Sequence, residues 1–504
     1  MIGLVSLSNM SFEDLPNDID KLKKLFLKEI SEKEQEISQL KDTILLLQHR
    51  KFGPQSEKSP KEQLNLFNEL EDIIEEDSSD EDTEEIKYTR KKGKRSPLPA
   101  ELPRVEEIID LSEEEKIGMK CIGEEISEKL EITPAKVFVK RTIRKKYAPI
   151  EGGKESNIKV APLPQELLPK SMASSSLIAY IITAKFCDAL PLYRQEKIFK
   201  RVSADITRQS MARWLIKVSE KVIPLYNLLQ EKMLDGDYLQ MDETVIQVLK
   251  EKNKKATSKS YMWVRHRPGD QPILLFDYDP TRKNEVPVRL LEGFKGYLQV
   301  DGYIGYNHVC SENNLIRVGC WDHCRRKFND ALKTSNGRGV GKKGIDKLKA
   351  IYKIEKEIRH MSPQRRREIR QERSRPLLED FKKWIDEVRE QITPKSVAGK
   401  AINYAYNEWP NLIKYLEDGR INISNAWIEN AIRPFCIGRK NWLFSDSVNG
   451  AHASAMFYSL IETAKLNLLD PFDYLNKMLD KLPHAETLED FEKLLPLKGQ
   501  FLAD

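Results

Sequence analysis

Three acidic residues stand out by their surroundings. Asp242 lies in MDETVIQVL, Asp301 in VDGYIGYN and Glu429 in NAWIENAIRPF. In the last stretch Asn425, Glu429 and Arg433 recur every four residues and so share one helix face. Ala426, Trp427, Ile428, Ala431 and Ile432 make most of the remainder apolar. A carboxylate on an otherwise buried helix needs a partner, because an unpaired buried charge is costly. Divalent cations supply one, since phosphoryl transfer uses two of them ~3.5–4 Å apart to activate the attacking oxygen and stabilise the leaving one. Hard oxygen ligands favour Mg²⁺ or Mn²⁺ over zinc. Each acid taken alone also has a plainer explanation, as a strand-end turn former or an ion-pair partner.

The elements that must position these acids can be read around them. After Gly236 the pattern turns from helical to extended, with strands predicted at 238–248, 260–265 and 272–276. A helix at 284–291, a strand at 296–300, another helix and a strand at 315–320 follow, ahead of WDHCRRKF. That succession belongs to the α/β ribonuclease H-like fold, in which carboxylates at strand ends meet one from a later helix. Asp242 falls in the first strand, and Asp301 ends the fourth, before the turn residue Gly302. About a hundred mostly helical residues then separate the fifth strand from Glu429, too many for a loop in a compact domain, so a helical insertion is expected. It includes SPQRRREIRQERSRP, whose arginines would line DNA or lace an ion-paired helix face.

Basic and aromatic residues cluster near the acids. His323, Arg325, Arg326 and Lys327 would approach the scissile phosphate or flanking DNA through charge-assisted hydrogen bonds, or else cap a helix and decorate its surface. Cys320, His323 and Cys324 lack a fourth ligand at suitable spacing, so no metal is expected there. Asn425 and Arg433 would orient Glu429. Arg439, Lys440 and Trp442 would face DNA, the indole stacking on a base unless it is core. Further upstream, 193–202 and 207–216 flank a short SAD break with helix-turn-helix spacing. Arg208, Gln209, Arg213 and Lys217 would then be available for bases or phosphates. Ordinary packing through Met211, Trp214 and Leu215 is the competing account.

The remaining organisation follows from composition. The chain has 504 residues, of which 32% are charged against a typical ~25%. Its net charge of +5 conceals an acidic run at 69–85 and the basic cluster at 90–95. Expected units are an N-terminal helix or coiled coil (1–50), a disordered linker (51–100) and a small module (101–155). A mostly helical DNA-binding region (156–235) and the first part of the catalytic core (236–330) come next. The insertion (331–420), the last part of the core (421–470) and a helical tail (471–504) complete the chain. Phe26, Ile30, Ile37, Leu40, Ile44 and Leu47 form one seam, interrupted by Lys33, which suggests self-association. A strand pair is expected in VFVKRTIRKKYAPI. No apolar run approaches the ~20 residues of a membrane span, and the start lacks the pattern of a secretory signal. The six cysteines are therefore read as thiols of a cytosolic protein.

At these residues the chain resembles the transposases of the insertion sequence 66 family, and the likeness runs over nearly the whole length. KFGPQSEK, QLNLFNE, DALPLYRQEKIF, MDETVIQVL, YMWV, VDGYIGYN, CWDHCRRKF, ERSRPLL, NAWIENAIRPFCIGRKNWLF and YSLIETAKLN carry it in order. The resemblance implies an Asp-Asp-Glu site at Asp242, Asp301 and Glu429 that holds Mg²⁺ or Mn²⁺, cuts at the ends of a mobile element and transfers the 3′-hydroxyl into target DNA. It also implies a coiled coil, a zinc-binding module, double-stranded DNA as partner, a homo-oligomer, possible accessory proteins and a nucleoid-associated place in a bacterial cytoplasm. Two departures are visible. The stretch matching the zinc module retains only Cys121, fewer than the four ligands of structural zinc, so zinc is not expected there, although Arg141, Arg144, Lys145 and Lys146 would still contact DNA. Ala426 and Asn430 also stand where the family often has asparagine and arginine. A phosphate-cradling GxxxxGK[ST] loop is absent, consistent with direct transesterification without a nucleotide cofactor. A nuclease on the same fold and a decayed copy that only binds DNA are the competing functions.

Overall fold

The computed structural model describes residues 137–147 and 159–502 except 336, together with helical positions between 20 and 45. The acidic run, the basic cluster, Leu47 and Cys121 lie outside the described residues. Phe26, Ile30, Ile37, Leu40 and Ile44 of the expected seam are helical and exposed. The chain divides into two compact units, one of them Ile74–Ala161. Within that unit β1 (Lys146–Tyr147) pairs antiparallel with β2 (Lys159–Val160). Of the strand pair expected within 137–150, β1 lies in that stretch and its partner β2 lies beyond it. Residues 137–145 are unpaired and exposed, as expected of a two-stranded ribbon whose apolar face has nothing to cover.

The other unit, which joins Met1–Ile73 with Pro162–Asp504, continues from Pro162 with helices. α1 (Ser175–Phe186) is capped by the Ser174 hydroxyl, with Ile178, Ile181, Ile182 and Phe186 buried. Among the described residues no helix is long and apolar enough to cross a membrane. α2 (Leu192–Arg201) and α3 (Arg208–Lys221) flank a break in which Ser203 takes φ 59°. Met211, Leu215 and Val218 turn inward, whereas Arg208, Gln209, Arg213 and Lys217 are exposed. α4 (Ile223–Leu234) then leads into the sheet.

β3 (Tyr238–Lys250), β4 (Lys259–Arg267) and β5 (Ile273–Asp279) form an antiparallel meander. After α5 (Glu285–Leu290), β6 (Tyr297–Gln299) returns parallel to β3. After α6 (Gly305–Glu312), β7 (Ile316–Val318) returns parallel to β6. Parallel neighbours need such crossovers, which is why helices appear only in the second half of the sheet. The spatial order is β5-β4-β3-β6-β7, and β8 (Ser445–Ser447) pairs with the far end of β3. The chain is therefore a mixed α/β protein with a mixed sheet.

The long connection is helical. It comprises α7 (Trp321–Thr334), α8 (Gly339–Ile358), α9 (Pro363–Ile369), a π-helical turn (Arg370–Ser374), α10 (Arg375–Gln391), α11 (Val397–Asn407) and α12 (Trp409–Leu412). It has its own core, in which Trp321, Phe328, Phe381, Trp384 and Trp409 pack ring against ring. Fully buried Arg370 donates to both oxygens of Glu355 at 2.8 and 2.7 Å and to the Tyr415 carbonyl at 2.9 Å. Arg365 pairs with Glu368, and Arg373 with Glu357. The ion-paired account of this arginine-rich stretch fits these three residues.

α13 (Ala426–Trp442) and α14 (Val448–Leu466) cover one face of the sheet. The Ser459 and Thr463 hydroxyls of α14 accept hydrogen bonds from the Phe276 and Leu274 amides of β5 at 2.8 and 3.0 Å, so the open edge of that strand is satisfied. α15 (Pro471–Lys481) packs on α1, and α16 (Leu488–Lys493) ends the described helices.

Candidate active site

The β3–β6 register brings the chain segments that carry two of the three acids side by side. Gln240 pairs with Gln299 at the last rung. Two residues further on come Asp242, still within β3, and Asp301, just past the end of β6, on segments that neighbour one another at about 4.8 Å spacing where parallel pairing holds. Asp242 Oδ1 accepts from the Glu243 amide at 2.8 Å, and Asp301 Oδ1 from the Tyr303 amide at 2.9 Å. Neither forms an ion pair among the described residues. Gly302 is required here, because a Cβ would lie 2.6 Å from the Tyr404 ring of α11. Burial pushes the Asp242 carboxyl well above the usual range, and the charges of Glu243, Glu429 and Asp301 push it further.

Glu429 reaches the same place from α13. Its helix begins at fully buried Asn425, whose backbone N–H meets Cys320 Sγ at 3.2 Å. The Asn425 amide nitrogen is 3.5 Å from the Met241 carbonyl, while its Oδ1 is buried without a partner. Burial raises the Glu429 carboxyl to about 7 despite the opposing pull of Arg326. Arg326 stands 3.4 Å from one oxygen, and His323 Nε2 lies 3.7 Å from the other. Burial, reinforced by Arg326, lowers His323 to about 4, so the ring is neutral at pH 7. Arg433 makes no hydrogen bond or ion pair among the described residues.

As they stand, no three His, Cys, Asp or Glu side chains among the described residues are grouped so as to hold a metal ion. The donor chemistry nevertheless suits a hard cation. Asp242 and Asp301 carry no counter-charge, and burial with the neighbouring carboxylates raises the Asp242 carboxyl, which is the imbalance a divalent ion relieves. Glu429 is occupied instead by Arg326.

Sequence reasoning missed the group behind Asp242. Glu243 points to the opposite face of β3, where Arg282 forms an ion pair with it and donates from Nε to Oε1 at 2.6 Å. The Tyr306 hydroxyl donates to Oε2 at 2.6 Å. The Arg282 guanidinium lies 3.9 Å from the centre of the Tyr303 ring, and the Tyr303 hydroxyl donates back to the Arg282 carbonyl at 3.2 Å. The available signals were the acid pair in MDET and the two tyrosines of DGYIGY.

Several expected DNA contacts are turned inward. Arg325 is buried, 3.7 Å from Asp322 and over the Tyr352 ring, because α7 lies between the sheet and the insertion core and has little free surface. Arg439 spends its guanidinium on β3, donating to Thr244 Oγ1 at 3.1 Å and to the Val245 carbonyl. Trp442 packs edge-on to Phe435 at 5.6 Å beneath Lys185, so its indole is core-facing. Trp427, expected among the apolar packing residues, is instead 56% exposed, with its ring near His266. Arg208, Arg213 and Lys440 are on the surface, and the Lys327 ammonium lies over the Tyr404 ring at 4.9 Å.

Comparison with known proteins decides the lineage. The model of the transposase IS66 family matches residues 170–453, which spans more than half of the chain and all three acids. The chain belongs to the IS66 transposase family. Further IS66 models match at both ends: the C-terminal element at 459–497, the zinc-finger binding domain at 114–148, and one described as transposase C of IS166 homeodomain at 39–106. The zinc-finger match contains Cys121 as its one cysteine and no histidine. Among curated relatives, the uncharacterized protein y4qI of Sinorhizobium fredii is 30% identical, covering 96% of this chain and 97% of its own. The uncharacterized protein y4jD of the same organism is 33% identical over 79% of this chain and 81% of its own.

Proposed function

We propose that the chain is an active DNA transposase: it cuts at the ends of its insertion element and joins the freed 3′-hydroxyl to target DNA on a ribonuclease H-like core. Membership in a transposase family supports the class of reaction. The strand order, an antiparallel meander followed by two parallel returns on the far side of its first strand, supports the core. The observation that carries the site is the alignment of Asp242 and Asp301 two residues beyond the Gln240–Gln299 rung.

In this reading Asp242 and Asp301 would hold Mg²⁺ or Mn²⁺, with Glu429 completing the set. Bound there, the cations would activate the attacking oxygen and stabilise the leaving one. Arg326 balances Glu429 in the free protein and is placed to meet a phosphate once DNA enters. Neutral His323 flanks Glu429 on its other side. Asn425 anchors the start of α13 against β3. Arg433, Lys327 and Lys440 supply charge for flanking DNA, and Arg208 and Arg213 supply it from α3. The exposed seam between Phe26 and Ile44 would pair with a second copy, bringing two element ends together.

A Glu429→Gln variant tests the site, with labelled DNA carrying the element's own ends as substrate. Loss of both cutting and joining in the variant supports the proposal. Identical processing by variant and parent removes Glu429 from the mechanism, and cutting without joining by the parent makes the chain a nuclease.

A further inference from the structure

We infer that Arg282 is a positioning residue that fixes the spacing of Asp242 and Asp301 through Glu243 and Tyr303. The inference rests on the reading of those acids as metal ligands and adds a residue to it. Asp242 and Asp301 sit on different strands, and β6 stops pairing with β3 at Gln299, two residues short of Asp301. Backbone pairing therefore does not hold the two acids at their own level. A side-chain bridge does.

On one side, Arg282 pairs with Glu243, the immediate neighbour of Asp242, and the Tyr306 hydroxyl binds the other oxygen of that carboxylate at 2.6 Å. On the other, the guanidinium lies over the Tyr303 ring, 3.9 Å from its centre, and the amide of Tyr303 is held by Asp301 at 2.9 Å. The Tyr303 hydroxyl returns to the Arg282 carbonyl at 3.2 Å, closing the loop around the arginine. Gly305 allows this, since a Cβ there would lie 2.4 Å from the Tyr303 ring.

The chemistry explains the choice of arginine. A planar guanidinium can donate in its plane to Glu243 while its face rests on an aromatic ring, whereas a lysine ammonium can satisfy the charge but not the stack. Burying Glu243 beside Asp242 adds a second negative charge next to a metal ligand. Arg282 neutralises that charge from the face opposite the site, so that Asp242 remains the acid offered to the cation. Groups that support metal ligands in this way typically contribute 10- to 100-fold in metal affinity or activity.

The test is Mn²⁺ binding to the full chain, followed by electron paramagnetic resonance, in the parent, Asp242→Asn, Arg282→Ala, Arg282→Lys and Tyr303→Leu. Tyr303→Leu removes the ring while leaving the Glu243 pair, and so stands in if Arg282→Ala does not fold. The expected result is a roughly 10- to 100-fold weaker affinity for Arg282→Ala, with Arg282→Lys and Tyr303→Leu in between. Parental affinity in both Arg282→Ala and Tyr303→Leu, whatever their melting temperatures, would reduce the bridge to ordinary fold stabilisation and overturn the inference alone. Mn²⁺ binding by the parent that survives Asp242→Asn unchanged, or no binding by the parent at all, would overturn the metal-site reading and the inference with it.

Discussion

Asp242, within β3, and Asp301, just past the end of β6, each lie two residues beyond the Gln240–Gln299 rung, the last that joins the two strands. Like charges brought together without a counter-ion destabilise one another, and Asp242 bears most of the consequence because its carboxyl is also buried. Asp242→Asn is therefore expected to raise the melting temperature of the metal-free protein at pH 7 while abolishing cleavage. The sign follows from the raised carboxyl: its favourable contribution is complete below the unfolded value near 4 and is lost as pH rises through the higher folded value. The gap between variant and parent should accordingly shrink on acidification. Thermal melts in chelator at two pH values decide this, and a less stable variant at pH 7 would contradict the account.

His266 predicts acid sensitivity with the opposite sign. Burial lowers it to about 4, and its Nδ1 is 2.9 Å from Gln240 Oε1, an oxygen to which only a protonated nitrogen can donate. Its contribution is fully present above the unfolded value near 6.5 and is lost as pH falls towards 4. A loss of about 3 kcal/mol by pH 4 follows from a shift of that size. Denaturant melts between pH 7 and 4 should show a steeper decline for the parent than for His266→Asn.

Arg370 tests the insertion core. Removing it would leave Glu355 and the Tyr415 carbonyl buried without their donor. Arg370→Ala should cost about 3–5 kcal/mol, as expected when one partner of a buried pair is deleted. A loss below about 1 kcal/mol in denaturant melts would mean that the pair behaves as an exposed one.

Surface and inward arginines should separate in DNA binding. Replacing exposed Arg208 or Arg213 by Ala should leave the melting temperature unchanged, weaken duplex binding and reduce the salt slope by about 0.9 for each phosphate no longer neutralised. Arg325→Ala should instead lower stability, because that side chain is buried beside Asp322 and Tyr352. Equal salt slopes for parent, Arg208→Ala and Arg213→Ala would remove α3 from the DNA surface.

How far the sequence speaks depends on the range of the cause. The five strands around the site were legible because a switch from helical to alternating apolar spacing is local, and the same pattern put Asp242 in the first strand, whereas Asp301, expected to end the fourth, lies two residues past β6. The α13 face carrying Asn425, Glu429 and Arg433 followed from helical spacing. Which way Arg325, Trp427 and Trp442 point was not legible, since it depends on which neighbours cover α7 and α13 rather than on their own periodicity. Trp442 is covered by Lys185 and Phe435, residues distant or one helical turn and more away, while Trp427 stands at the open start of the helix. Glu243 looked like one more charge beside Asp242. Its role emerges only when Arg282, nearly forty residues later, folds back over it.

The most direct test of the central claim is Mg²⁺-dependent joining of labelled DNA carrying the element's own ends, comparing the parent with Asp242→Asn and Asp301→Asn. Joined products from the parent, with neither variant producing any, are the predicted result. Joining by either variant at the parental rate would contradict the assignment of the paired aspartates as the reactive centre.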